Sequence, residues 1–205
     1  MRYPALPFLL LALGLAWMQA PSAAQSSRMD NVRSSVSTRA AELSRDSVYQ
    51  LPLRLTDAGG MAFDWGRHRG KPQLVSMFYS SCRYVCPLIV EAGKAVDKSL
   101  TPVQRKGLGV MLISMDPARD TPKVLAALAK ERRIDPRWVL AAPAAADVRS
   151  VAGVLDVRYR QLSDGEFNHT SVLILLDADG RIVARTEQIG SKPDPEFIAA
   201  VKSLL

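Results

Sequence analysis

The two cysteines of the chain stand four positions apart, in Ser80-Ser81-Cys82-Arg83-Tyr84-Val85-Cys86-Pro87. Upstream, Leu74 to Tyr79 is an apolar run of strand length; downstream, Leu88, Ile89, Ala92, Ala95, Val96 and Leu100 recur at helical intervals. The pair therefore sits where a strand hands over to a helix. Unpaired N–H groups and the positive end of the helix dipole favour a thiolate there, so both sulfurs are expected to be more acidic than a free cysteine. Two such sulfurs form a soft pair that selects Cu(I) or zinc over hard cations, and an added imidazole extends the fit to Cu(II). A disulfide across three intervening residues would close a small loop and remove little entropy from the unfolded chain, so the spacing reads as reactive rather than as a structural staple.

The chain has two histidines. His68 lies among Arg67, Arg69 and Lys71, where a bound cation would meet three like charges, and it reads as a surface residue. His169 stands directly before an apolar strand, and its placement alone leaves two readings open, a structural histidine or a third ligand. A Cys, Cys, His set is incomplete for structural zinc, which takes four protein ligands, and three ligands suit copper better. Asp116 and Asp120 are candidates for orienting ligands from behind, although Asp120 also reads as ordinary turn and cap work. Met77, Met111 and Met115 fall in apolar strands and read as core filler.

These residues need a scaffold. Tyr49, Leu51, Leu53 and Leu55 alternate with polar or small residues, Asp57-Ala58-Gly59-Gly60 supplies a turn, and Met61 to Phe63 begins a return strand, which predicts a β-hairpin. The strand before the cysteines follows, then their helix, the punctuation Thr101-Pro102, and a buried strand Val110 to Met115 in a mostly parallel sheet. Asp120 or Thr121 caps a helix from Lys123 to about Arg133, with Pro122 in its first turn and Val124, Leu125, Leu128 and Ala129 inward. A short strand at Trp138 to Leu140, a helix from Ala144 to Ala152 and an extended piece from Val157 to Leu162 come next. The chain closes with a strand Ser171 to Leu176, a hairpin turn at Asp177 to Gly180, a strand Ile182 to Gln188, and a helix opened by Asp194 or Pro195. Hairpin, βαβ, helix and ββα in this order is the order of a thioredoxin-like domain with an N-terminal hairpin addition: an α/β fold with a central mixed sheet flanked by helices. Right-handed crossovers would put the cysteine loop at the carboxyl end of a central strand, where open sheets expose their sites.

A chain of 205 residues, 48% hydrophobic and 23% charged, is sized for one well-buried domain. Arg2, the apolar stretch Ala5 to Trp17 and the small residues Ser22 and Ala24 read as an export signal over residues 1–24, cleaved after Ala24 or retained as a membrane anchor. Residues 25–47 read as a flexible Ser- and Arg-rich arm, and 48–205 as the folded domain. The net charge is +7, and removing Arg2 leaves 26 basic against 20 acidic residues. With no run of four basic residues and no interleaved aromatics, a nucleic-acid partner has little support, while an acidic partner or an anionic membrane surface suits the charge.

The loop Cys82-Arg83-Tyr84-Val85-Cys86-Pro87, the segment Ser114-Met115-Asp116-Pro117-Ala118-Arg119-Asp120-Thr121-Pro122 and the triplet Asn168-His169-Thr170, in this order, resemble the signature of the Sco/SenC family over about Val48 to Leu204. The resemblance implies an exported or membrane-tethered, thioredoxin-like copper chaperone; the sequence shows no exposed apolar heptad or long apolar strand edge, which favours a monomer. By the resemblance it would bind one copper ion through Cys82, Cys86 and His169 and assist assembly of the copper A centre in subunit II of cytochrome c oxidase. Asp116, Tyr84 and Asn168 would be the residues behind the ligands. Arg83 and Tyr84 stand where the family loop usually has proline and an acidic residue, and Asn168 where members often have aspartate, which implies a weaker Cu(II) complex than is usual. Two other functions use the same residues: a thiol-disulfide oxidoreductase that keeps target cysteines reduced, and a copper or redox sensor. Against the first, such reductants generally use two intervening residues and a cis-proline facing the pair.

Overall fold

The structure, a computed structural model, describes residues 43–82 and 86–205, which form one unit from Leu43 to Leu205. Its centre is the apolar run Gln73–Phe78, which forms strand β3 with all six residues buried. This strand is paired along both edges. The strand Gly109–Ser114 (β4) pairs parallel to β3, and Val139–Pro143 (β5) parallel to β4. The strand Leu173–Leu176 (β8) runs antiparallel on the other edge of β3, followed by Ile182–Thr186 (β9).

The predicted hairpin is present as Arg54–Asp57 (β1) and Ala62–Asp64 (β2). Asp57 Oδ1 accepts from the N–H groups of Gly59 and Met61, and Gly60 supplies the positive φ that closes the turn. The hairpin joins the main sheet, because β1 pairs antiparallel with β5. The order is β2-β1-β5-β4-β3-β8-β9, with only the β5-β4 and β4-β3 neighbours parallel. The sheet is thus mixed, as the fold class predicts, rather than mostly parallel: a hairpin on each flank supplies antiparallel neighbours.

The helix after the cysteines is Cys86–Lys98 (α1), packed on β3 and β8. Its buried stripe is Cys86, Ile89, Val90, Ala92, Gly93 and Val96, so Leu88, expected inward, lies one position off the stripe and is exposed. A short helix, Pro102–Gly107 (α2), occupies what reads in sequence as mere punctuation. Thr101 and Gln104 form a reciprocal capping box there, with proline in the first turn. The helix Pro122–Glu131 (α3) packs on β5 and β1 with Leu125 its fully buried residue, so the inward stripe is narrower than expected. Residues 145–147 form a 3₁₀ turn leading into Val148–Val154 (α4). Asp194 caps Pro195–Ser203 (α5), accepting from the N–H groups of Glu196 and Phe197.

The region from Phe167 to Leu176 divides. Phe167–His169 (β7) pairs antiparallel with Tyr159–Gln161 (β6) in a separate two-stranded sheet, and β8 begins only at Leu173. Thr170, Ser171 and Val172 separate the two strands, and β7 leaves the main sheet to pair with β6. His169 consequently sits on a small ribbon. Met77, Met111 and Met115 are core residues, as expected.

Candidate metal centre

The chain leaves β3 at Phe78 and turns through Tyr79, Ser80 and Ser81 to Cys82, and α1 starts at Cys86. Arg83 and Tyr84, the loop residues singled out in the sequence, lie outside the described residues. Both cysteines are buried thiols, 8% and 5% exposed. The Cys86 N–H donates to Cys82 Sγ at 3.4 Å, and the Tyr79 N–H donates to Cys86 Sγ at 3.5 Å. The strand-to-helix turn thus sets the two sulfurs side by side.

Their expected acidity does not follow for Cys86. Burial pushes its thiol well above the ordinary cysteine value, and the neighbouring Cys82 and Asp120 add to the rise against the opposing hydrogen bond from Tyr79. The helix terminus offers partial charges, whereas taking a thiolate out of water costs its whole hydration. Burial prevails here.

The turn is fastened from beneath by Asp120, which is 1% exposed. Its carboxylate accepts from the Ser80 N–H at 3.1 and 3.2 Å, from the Ser80 hydroxyl, and from Ser114 Oγ at 2.5 Å. Burial raises its pKa, while the Ser114 and Ser80 donors pull the other way. Asp120 is therefore neither an idle turn residue nor the helix cap; Thr121 holds the cap position of α3. Asp116, 6% exposed, pairs with Arg119, whose guanidinium reaches the Gly165 carbonyl and lies 5.9 Å from the Phe167 ring centroid. Through Arg119, Asp116 braces the approach to β7.

His169 faces Tyr159 across the ribbon. Its Nδ1 lies 3.0 Å from the Thr170 carbonyl oxygen. A carbonyl only accepts, so Nδ1 carries the proton and Nε2 the lone pair. That Nε2 is buried without a hydrogen-bond partner, as is Ser81 Oγ beside Cys82. Burial holds the imidazole pKa below the ordinary histidine value, against the Thr170 hydrogen bond, so the ring is neutral near pH 7. A neutral imidazole with one N–H tied to a carbonyl and the other nitrogen bare is the form in which histidine binds metals. Asn168 is exposed and, by strand alternation, points to the opposite face, away from any role behind His169 on its own face.

Tyr79 touches both halves of the site. Its ring lies 5.8 Å from the His169 ring and 5.1 Å from Phe167, edge to face. Its hydroxyl donates to Glu166 Oε2 at 3.0 Å and accepts from the Phe167 N–H at 3.3 Å, while burial, with Cys82 and Glu166 close by, raises the phenol pKa. Cys82 and Cys86 share a narrow cavity with Phe78, Tyr79 and Pro87, whereas His169 lines a different depression beside β6. Among the described residues, no three Cys, His, Asp or Glu side chains stand close enough together to hold a metal ion. The structure brings the thiols together, and Tyr79 links them to the imidazole. His68 packs against Phe63 and accepts from Arg67 Nε, apart from the cysteines as the sequence suggests.

No curated protein matches the chain. Solved structures do. A copper-bound structure of Bradyrhizobium japonicum ScoI is 27% identical, with 75% of this chain and 98% of that one covered and a TM-score of 0.64. A protein of Aquifex aeolicus is 26% identical over 77% and 92% of the two chains, with a TM-score of 0.67. Copper-bound yeast Sco1, at 22% identity over 75% and 88% and a TM-score of 0.60, shares the fold. The SCO1/SenC family model matches residues 41–205, with the cysteine loop, the Asp116 to Pro122 segment and His169 inside the match, and the chain belongs to that family.

Proposed function

We propose that this protein is an exported copper carrier that holds one copper ion through Cys82, Cys86 and His169. It would deliver that ion to a copper-accepting protein, subunit II of cytochrome c oxidase being the acceptor the family signature implies. The observation that carries the reading is the pairing of two adjacent buried thiols with a buried, partnerless imidazole nitrogen, all in contact with Tyr79. The copper-bound B. japonicum relative supports the choice of metal. Residues 1–24 would serve as the export signal.

Copper binding on this reading displaces the thiol protons, which burial otherwise retains on Cys86. Loading would bring the imidazole and the two sulfurs into one coordination sphere. Tyr79 is in contact with both. Oxidation of the pair to a disulfide would remove two of the three donors, so redox state would gate loading.

Anaerobic titration of the reduced protein from Gln25 onward with Cu(I), against a chromophoric chelator, tests the reading. One tight equivalent that disappears in Cys82→Ser/Cys86→Ser supports it. Failure to hold copper while the thiols readily reduce a disulfide substrate would replace it with the reductase.

A further inference from the structure

Beside the ribbon that carries His169, two adjoining depressions of about 600 and 510 Å³ share Arg158, Tyr159 and Arg160. The first also takes in His169 and Glu187, and the second takes in Arg149 from α4. Tyr159 sits opposite His169 and Arg160 opposite Asn168, and the Thr170 N–H continues the ladder to the Arg158 carbonyl. Side chains alternate along a strand, so Arg158, Arg160 and Asn168 share one face and Tyr159, Phe167 and His169 the other. The arginine face is thus one strand thickness from the imidazole.

Arg149, Arg158 and Arg160 are exposed, and none of them takes part in an ion pair among the described residues. Three arginines elsewhere, by contrast, are neutralised locally: Arg69 by Asp179, Arg137 by Asp97 and Asp135, Arg181 by Asp46. Like charges grouped without counter-charge repel one another and contribute nothing to folding. A planar guanidinium matches a carboxylate in two-pronged fashion, so three of them around a concave surface complement a run of Asp and Glu.

We infer that this arginine-lined face of the β6–β7 ribbon is the docking surface for an acidic segment of the protein that accepts the metal. The inference rests on the carrier reading above and gives the chemistry of its partner. A lipid surface fits less well. Three basic residues fall short of the clusters of about four to eight that mark recognition of anionic lipid. Among the described residues, none of the exposed large apolar ones, Met61, Leu88, Val103, Leu162, Val183 and Leu205, lines either depression to insert into a bilayer. A small, polar, electrostatically steered contact also suits a donor that must let go after transfer.

The test uses the protein from Gln25 onward and two probes, a capped peptide alternating Glu and Gly, and phosphatidylglycerol vesicles. Peptide binding is expected to weaken with salt and to fall about tenfold or more in Arg149→Glu/Arg158→Glu/Arg160→Glu. The control Arg54→Glu/Arg133→Glu/Lys192→Glu, all exposed residues elsewhere, is expected to change it less than about twofold. Equal losses in the two triple variants would overturn the inference in favour of diffuse charge, and absence of peptide binding would overturn it outright. Binding to vesicles but not to peptide would overturn it in favour of a lipid surface. Cu(I) retention is measured on the same samples: wild type that holds no copper removes the carrier reading, whereas retained copper without a selective arginine effect removes only the docking surface.

Discussion

Replacing Asp120 by alanine tests how the cysteine turn is held. The substitution takes the acceptor from the Ser80 N–H, the Ser80 hydroxyl and Ser114 Oγ at once. A buried donor left without an acceptor costs about 1–3 kcal/mol, and the backbone N–H of Ser80 is the one group of the three that cannot rotate to find another. The two hydroxyls forfeit about 0.5–1.5 kcal/mol each, less whatever they recover elsewhere. Relief of the burial penalty on an ionised carboxylate offsets part of this, leaving a net loss of about 3 kcal/mol at neutral pH. With a urea slope of about 2 kcal/mol per molar, the denaturation midpoint falls by about 1.5 M.

The pH dependence gives a second signature. Burial raises the Asp120 pKa above its ordinary 3.8, so the folded state favours the protonated form. The stability contributed by that preference is complete below the ordinary value and is lost as pH rises through the folded value. Alanine has nothing to lose over that interval. The cost of Asp120→Ala is therefore larger in acid than at neutral pH. Glu131→Ala, at the exposed end of helix Pro122–Glu131, serves as control and is expected to change stability by less than about 0.5 kcal/mol. An Asp120→Ala midpoint indistinguishable from that control, or a cost that shrinks in acid, would refute the reasoning.

Three further outcomes follow from packing and charge. A Cβ on Gly93 would come within 2.7 Å of the Trp138 ring, so Gly93→Ala should be destabilising by about 1 kcal/mol net, overpacking exceeding the gain in helix propensity; an unchanged or raised Tm would contradict this. Tyr79→Phe removes the acceptor of the Phe167 N–H and the donor to Glu166, and should cost about 1–2 kcal/mol while leaving far-ultraviolet circular dichroism unaltered, as read by urea melts. His68 has its pKa lowered by burial, then by Arg67 and Lys71, so its contribution is present above the ordinary histidine value of 6.5 and lost as pH falls through the folded value. Stability measured from pH 7.5 down to 5 should accordingly decline less in His68→Gln than in wild type, and parallel curves would refute the assignment.

What could be read from the sequence was whatever its local pattern encodes. The strand Gln73–Phe78 and the helix from Cys86 follow from one apolar run and one helical stripe, and the cysteine spacing marks the site between them. His169 reads correctly as standing before the apolar strand, and the structure adds that it belongs to a separate ribbon. The roles not legible are those whose partners are distant along the chain: Asp120, which reads as turn and cap work, meets Ser80 across 40 positions, and Tyr79 meets Glu166 across 87. No periodicity reports such pairs. The error over Cys86 is of the same kind, since a helix terminus is visible in sequence and the depth of burial that outweighs it is not. The helix Pro102–Gly107 was legible, because Thr101-Pro102-Val103-Gln104 is a capping box with proline in the first turn.

The central claim is that His169 joins the two sulfurs in holding the metal, and copper-edge X-ray absorption on the Cu(I)-loaded protein addresses it directly. The account predicts two sulfur scatterers and one imidazole in the wild-type spectrum, with the imidazole signature missing in His169→Ala and the sulfurs kept. A sulfur-only shell that is the same in both proteins would contradict it.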